Sequence, residues 1–217
     1  GFCVINERTY DIAPLGAVAP ISLHDMTLVT DTGEGIDLTA LDLKLTACLL
    51  AVSDDRAESD GYNALVIRAG LGWRDIALLR SVSRYLQQAG IAYQQDYLSA
   101  ALNRNGALAA RLVDLFHACF EPSGTGGAGE NIVRDIEAGP EAVQSLDEDQ
   151  IIRRFANVVM AMVRTNFFQP GEDGEPRNEI SFKLDSAKVD GLPAPKPFRE
   201  IFVHSPRVEG IHLRFGK

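Results

Sequence analysis

The spacing of apolar residues changes twice along this chain. Over the first thirty residues, CVIN, TYDI and PISLHDMTLV carry β-branched and aromatic side chains in short alternations, separated by Pro14, Gly16 and Pro20. A period of two sends successive side chains to opposite faces of a strand, so this region predicts β structure. The turn cluster TDTGEG, from Thr30 to Gly35, ends it.

From Asp37 to about Gln169 the period becomes helical. Leu38, Leu41, Leu45, Cys48 and Leu49 recur at three- and four-residue spacing and form one apolar face. Tyr62 to Ala69 predicts a short helix ended by Gly70, and Trp73 to Ala89 a longer one ended by Gly90. In the latter, Ile76, Leu79, Val82 and Leu86 point to a core. Two further helices are predicted, one around Tyr97, Leu98, Ala101 and Leu102 and one from Leu108 to Cys119, closed by Pro122. The clearest pattern runs from Asp147 to Phe167, with Ile151, Phe155, Val158 and Met162 in one stripe flanked by Ile152, Val159 and Val163. Arg153, Asn157 and Arg164 fall on the other side. Ser145 and Glu148 have the spacing of a capping box. Short connections imply antiparallel neighbours in a helical bundle.

The second change follows the breaker-rich linker QPGEDGEPRN, from Gln169 to Asn178. Strands are predicted at Ile180 to Leu184, Glu200 to His204 and Ile211 to Phe215, with the proline-rich GLPAPKP as a loop. The last two strands make a hairpin around a Ser-Pro turn, and a lone hairpin edge is normally paired or covered. Both β regions therefore read as incomplete sheets, and the chain as a piece of a larger polypeptide. The fold class is α+β, with terminal strands over 1–35, a helical bundle over 36–169 and further strands over 178–217. No repeat of 20 to 50 residues is visible.

Composition narrows the function classes. The 217 residues are 46% hydrophobic and 24% charged, which is ordinary for a soluble domain with a real core. A net charge of −9, with arginines scattered along helices, argues against nucleic acid as a partner. No apolar run approaches the ~20 residues that span a bilayer, and the first residues lack the pattern of a secretory leader. Cys3, Cys48 and Cys119 are odd in number, far apart and set among apolar neighbours, so they are expected as free buried thiols in a cytoplasmic protein.

Candidate chemistry is sparse. Gly124, Gly126 and Gly129 satisfy G-x-G-x-x-G, but that spacing binds a pyrophosphate only directly after a strand, and the preceding LVDLFHACFEP is helical. A flexible interhelical loop is the expectation. His24 and Asp25 point to opposite faces of a strand, and His117 has no second ligand four residues on. His204 and His212 could meet across a sheet, yet a metal would want further ligands, so no metal site is expected. Asp54, Asp55, Glu58 and Asp60 read as a solvated acidic run. Trp73, beside Arg74, could anchor an interface, with core filling the preferred reading.

Four blocks carry a resemblance: GFCVINERTYDI at Gly1, AGLGWRDIALLRSVSRYLQQAG at Ala69, SLDEDQIIRRFANVVMAMVRTNFFQ at Ser145, and SFKLD, GLPAPKP and SPRVEGIHLR towards the end. In this order they resemble the large, single-chain bacterial NAD-specific glutamate dehydrogenases. The resemblance implies a parent reaction in which L-glutamate, NAD⁺ and water give 2-oxoglutarate, ammonia and NADH. It also implies that residues 1–35 end an ACT-like regulatory unit and that 178–217 open the catalytic domain. NAD is then the parent's cofactor, and this chain binds none. The family's substrate lysine segment lies beyond Lys217, so no catalytic, cofactor or metal residue is assigned here. Guanidinium groups such as those of Arg199, Arg207 and Arg214 suit a dicarboxylate, but Arg207, Arg214 and Lys217 lie near the future site by chain position only, with structural ion pairing their expected role. The partners implied are the rest of the parent polypeptide and further copies in a homo-oligomer, without nucleic acid or membrane. The alternative is a stand-alone helical protein-binding module.

Overall fold

The computed structural model of the chain describes residues 2–13, 16, 19–30, 33, 38–90, 93–122, 129–138, 145–172 and 174–216. It divides into two compact units, 1–40 and 41–217.

The first unit is an antiparallel hairpin of β1 (Phe2–Ile12) and β2 (Ile21–Thr30). CVIN and TYDI belong to one strand, because a register shift between Val4 and Asn6 absorbs the break in alternation. The strands bury almost nothing. Val4, Ile5, Leu23 and Met26 are all exposed, as two strands have no second layer to pack on. Cross-strand polar contacts accompany the ladder, among them His24 Nδ1 to Glu7 Oε1 at 3.0 Å and Ser22 Oγ to Asp11 Oδ1 at 2.8 Å.

The second unit packs helices against a sheet. Its helices are α1 (Leu38–Ser53, beginning at the unit border), α2 (Leu65–Arg68), α3 (Trp73–Gln88), α4 (Gln95–Arg104), α5 (Gly106–Phe120), α6 (Gly129–Ala138) and α7 (Leu146–Ala161). A 3-10 turn, Gly61–Ala64, leads into α2 and is capped by the Asp60 carboxylate, which accepts from Tyr62 N. The sheet is antiparallel in the order β3 (Met162–Thr165), β4 (Ile180–Leu184), β5 (Arg199–Ser205) and β6 (Val208–Arg214). The core is continuous from Leu65, Ile76, Leu79 and Leu112 through Ile151, Phe155 and Val158 to Phe182 and Phe202. The α+β class, the helix stops at Gly70 and Gly90 (φ +62° and +83°) and the three predicted terminal strands all stand.

Four expectations are corrected. The predicted helix to Phe167 stops at Ala161, and Met162 to Thr165 pair with β4, a strand partner winning over helical periodicity for a β-branched stretch. Ser145 sits at the start of α7 without a side-chain capping bond. The capping box does not form because Glu148 turns to α4 instead, where Arg104 Nε and Asn105 Nδ2 each donate to it at 2.7 Å. Of the cysteines only Cys48 is buried, whereas Cys3 and Cys119 are exposed. Among the described side chains of helix α1, only Cys48 and Ala51 are fully inward, and Leu43 (84%) and Leu49 (71%) are in solvent.

Helix α3 holds the layers together. It touches α2, α4 and α7 on the helical side and β4 and β5 on the other. Its hydrophobic stripe was legible, but Arg80, Ser81, Ser83 and Tyr85 are buried as well. A polar helix face normally looks to water; here Ser81 and Tyr85 meet polar groups of the sheet, Arg80 those of residues 58–63, and Ser83 the Gln95 amide of α4.

Candidate functional site

Two clusters of ionisable side chains lie in the second unit. The first is built around Arg80, in the middle of α3, which has no exposed surface. Its Nε and Nη2 donate to the Asp60 carboxylate at 2.7 and 2.8 Å, Nη2 donates to Asn63 Oδ1 at 2.9 Å, and Nη1 lies 3.4 Å from Glu58 Oε2. Burial alone would draw its pKa down, but the Asp60 and Glu58 carboxylates outweigh that and raise it. Glu58 also reaches His204 of β5, Oε1 to Nε2 at 3.0 Å, and His204 Nδ1 lies 3.1 Å from Ser81 Oγ. Burial pushes the Glu58 carboxyl up, but His204 and Arg80 pull it below its ordinary value. One turn on, Tyr85 donates its hydroxyl to Glu200 Oε2 at 2.6 Å, and burial with that carboxylate raises the phenol's pKa.

Serine, histidine and carboxylate at these distances have the outline of a hydrolytic triad. The surroundings rule that out. Ser81 is fully buried and donates its proton to the Ala77 carbonyl at 2.7 Å, so the hydroxyl is tied to its own helix and no acyl group reaches it. The cluster is a structural tie between α3 and β5. It also corrects the acidic run: Asp54 and Asp55 are solvated, but Glu58 and Asp60 serve Arg80. Nor do His204 and His212 meet, since they face Glu209 and Ile201 across the ladder. An arginine i to i+1 with a serine on an apolar helix gave no sequence signal for this tie, because its partners lie far away in the chain.

The second cluster lines a cleft of about 460 Å³. Arg74 and Asp75 come from the first turn of α3, His117 and Glu121 from the end of α5, and Phe167 and Phe168 from the segment after β3. His117 Nε2 lies 2.8 Å from Asp75 Oδ1, and its Nδ1 3.9 Å from Glu121 Oε2. The bond to Asp75 raises the His117 pKa above its ordinary value against the opposing effect of burial. Arg74 lays its guanidinium over the Phe167 ring, 5.0 Å from the centroid. Its three nitrogens are buried and, among the described residues, have no hydrogen-bond partner. Burial, with the charge of Arg56 adding to it, draws the Arg74 pKa down to about 10, so the group stays cationic at neutral pH. Trp73, beside it, is half-buried at the edge of the core, and the Arg56 guanidinium stacks 4.9 Å from its centroid.

The remaining expected positions are not brought together. Arg199 pairs with Asp185 at 2.8 Å and rides over the Phe198 ring, a structural role. Arg207 and Arg214 do not form the ion pairs expected of them: they are exposed on and beside β6, with no ion pair among the described residues, and Lys217 lies outside those residues. Gly124 and Gly126 lie outside the described residues, Gly129 opens α6, and the element before these glycines is the helix α5, not the strand that precedes a dinucleotide-binding G-x-G-x-x-G. Among the described residues no cluster of histidine, cysteine and carboxylate could hold a metal. No helix among them is long and apolar enough to cross a membrane.

Comparison with known proteins decides the family. Residues 57–122 match the model of glutamate dehydrogenase helical motif 3, and residues 135–217 that of the bacterial NAD-glutamate dehydrogenase catalytic domain. An NAD-specific glutamate dehydrogenase of Mycobacterium tuberculosis is 43% identical over 229 residues, covering 100% of this chain and 14% of its own length. That of Halomonas elongata is 36% identical, also over 100% of the chain and 14% of its own, and that of Pseudomonas aeruginosa 37% identical over 90% of the chain and 12% of its own. The chain belongs to the bacterial NAD-specific glutamate dehydrogenase family. It spans at most 14% of the length of these glutamate dehydrogenases. Both clusters straddle the two matched regions. Glu58, Arg80 and Ser81 lie in the helical-motif match and His204 in the catalytic-domain match. Likewise Arg74, Asp75, His117 and Glu121 lie in the first, and Phe167 and Phe168 in the second.

Proposed function

We propose that this chain is a non-catalytic connector within an NAD-specific glutamate dehydrogenase. The parent oxidises L-glutamate to 2-oxoglutarate and ammonia and reduces NAD⁺ with the hydride, as a cytoplasmic homo-oligomer. In this reading the β1–β2 hairpin is the end of an ACT-like regulatory sheet. The helices join it to the opening strands of the catalytic domain, and the partner of the whole is the rest of the parent polypeptide. One observation supports the reading most strongly: helical-motif and catalytic-domain matches pack in one compact unit, joined by the buried Arg80–Glu58–His204 tie. Such a tie makes the α3 helix and the β5 strand move together, because pulling them apart strands charged groups without partners.

The exposed leucines of α1, Leu43 and Leu49, favour a second reading, a stand-alone helical module that binds another protein. Two observations separate them. Under the connector reading, the coding sequence past Lys217 continues into a strand-linked, glycine-rich nucleotide-binding segment. Glutamate-dependent NADH formation should also belong to the complete polypeptide and be absent from this chain by itself. A stop codon soon after Lys217, or NADH formed by this chain alone, contradicts the connector reading.

A further inference from the structure

We propose that the cleft between the first turn of α3 and the end of α5 binds a small organic monocarboxylate, held by Arg74 with its apolar body against Phe167 and Phe168. This stands independently of the connector reading. A guanidinium carries five N–H donors in a planar fork. All three Arg74 nitrogens are shielded from solvent, and none donates to any acceptor among the described residues. Arg80, on the same helix and fully buried, shows the contrast, since Asp60, Asn63 and Glu58 surround its guanidinium. Folded proteins rarely leave a buried cation without an acceptor.

The cleft's other groups define what that acceptor is. The two oxygens of a carboxylate match the guanidinium fork. Glu179 and Asp75 act on Arg74 by charge alone, since neither accepts a hydrogen bond from it, and Asp75 Oδ1 is taken by His117. Glu121, half-exposed beside His117, adds a negative charge that disfavours multiply charged anions. The Phe167 and Phe168 rings, 5.0 Å apart between centroids and near-perpendicular, offer an apolar wall. A volume of about 460 Å³ falls in the range of small-ligand pockets. Binding requires Arg74 to swing from Phe167 towards the cleft, which its flexible stem allows.

Titrating the whole chain with phenylacetate, and separately with inorganic phosphate, tests this by calorimetry and by following the Arg74 Nε–H resonance. The expected result is saturable phenylacetate binding that shifts that resonance, weakens by about tenfold or more in Arg74→Gln, and tightens in Glu121→Gln. Phosphate should bind more weakly. If Arg74→Gln fails to fold, the wild-type resonance and the exposed-site variant Glu121→Gln carry the decision. Absence of saturation, an unmoved Arg74 resonance, unchanged affinity in a folded Arg74→Gln, or phosphate binding more tightly than phenylacetate would each overturn the proposal.

Discussion

His117 shows how a single contact can override what a residue type implies. Its helical neighbours Asp114 and Glu121 are ordinary surface carboxylates, so by sequence it reads as a bland surface histidine. The fold brings Asp75 to 2.8 Å from its Nε2. That hydrogen bond favours the charged imidazolium, so the pKa is raised. The stability gained is therefore fully present below the unfolded value of about 6.5 and is lost as pH rises through the folded value. Proton NMR should find the His117 midpoint above that of a free histidine, and Asp75→Asn should bring it down. An unchanged midpoint in the variant would show that Asp75 is not the cause. Arg80 is the harsher case. Replacing it with Met leaves Asp60 and Glu58 without their cation, so urea unfolding should show a loss of roughly 3 kcal/mol or more. Partial solvation of the two carboxylates keeps this at the lower end of such effects. Glycines were easier to read: Gly70 and Gly90 stop helices because their positive φ suits no other residue so well. Glu148 was misread because a spacing cannot say that Arg104 and Asn105 will compete for its carboxylate.

Among the elements, α7 was legible for most of its length and wrong at its end. Ile151, Phe155 and Val158 are buried as their spacing requires. The stripe fails at Val163, which is exposed on the edge strand β3, because strand pairing with β4 is a non-local choice that a helical period cannot register. Phe155→Ala should lower stability by about 3–5 kcal/mol, as expected when a buried aromatic is truncated. Arg153 bonds Asp149 one turn back at the helix surface, and Arg153→Ala should stay within about 0.5 kcal/mol. Equal losses in urea melts would mean the buried face is misassigned. The start of α5 is equally specific. A Cβ at Gly106 would run into the Arg68 carbonyl at the end of α2, a backbone atom that cannot rotate away. Gly106→Ala should therefore destabilise by about 1–3 kcal/mol, despite alanine's better helix propensity. A gain in thermal stability would contradict that contact. Helix α3 was half legible: its apolar stripe declared one buried face, and its polar residues concealed a second.

At the scale of the molecule, the sequence marked the β–α–β progression, since changes of hydrophobic period are local signals, but it placed its hairpin at the end of the chain, where β5 and β6 join a four-stranded sheet, and not at β1–β2. It did not mark what joins the helices to the sheet, because Arg80–Glu58–His204 and Tyr85–Glu200 bridge distant stretches of chain. Nor did it mark the cleft, whose walls come from α3, α5 and the turn after β3. With the core continuous across both layers, residues 41–217 should unfold as one cooperative unit. Far-ultraviolet circular dichroism and Trp73 fluorescence should give coincident urea transitions, and separated midpoints would mean that helices and sheet are independent. The central claim, that this is a connector of a glutamate dehydrogenase without a dinucleotide site of its own, is tested most directly by titrating the chain with NAD⁺ in a calorimeter. No saturable heat is expected at millimolar cofactor, because the glycine spacing of Gly124, Gly126 and Gly129 follows the helix α5 instead of a strand. Saturable heat that disappears when Gly126 and Gly129 are replaced by valine would contradict the account and make that loop a nucleotide site.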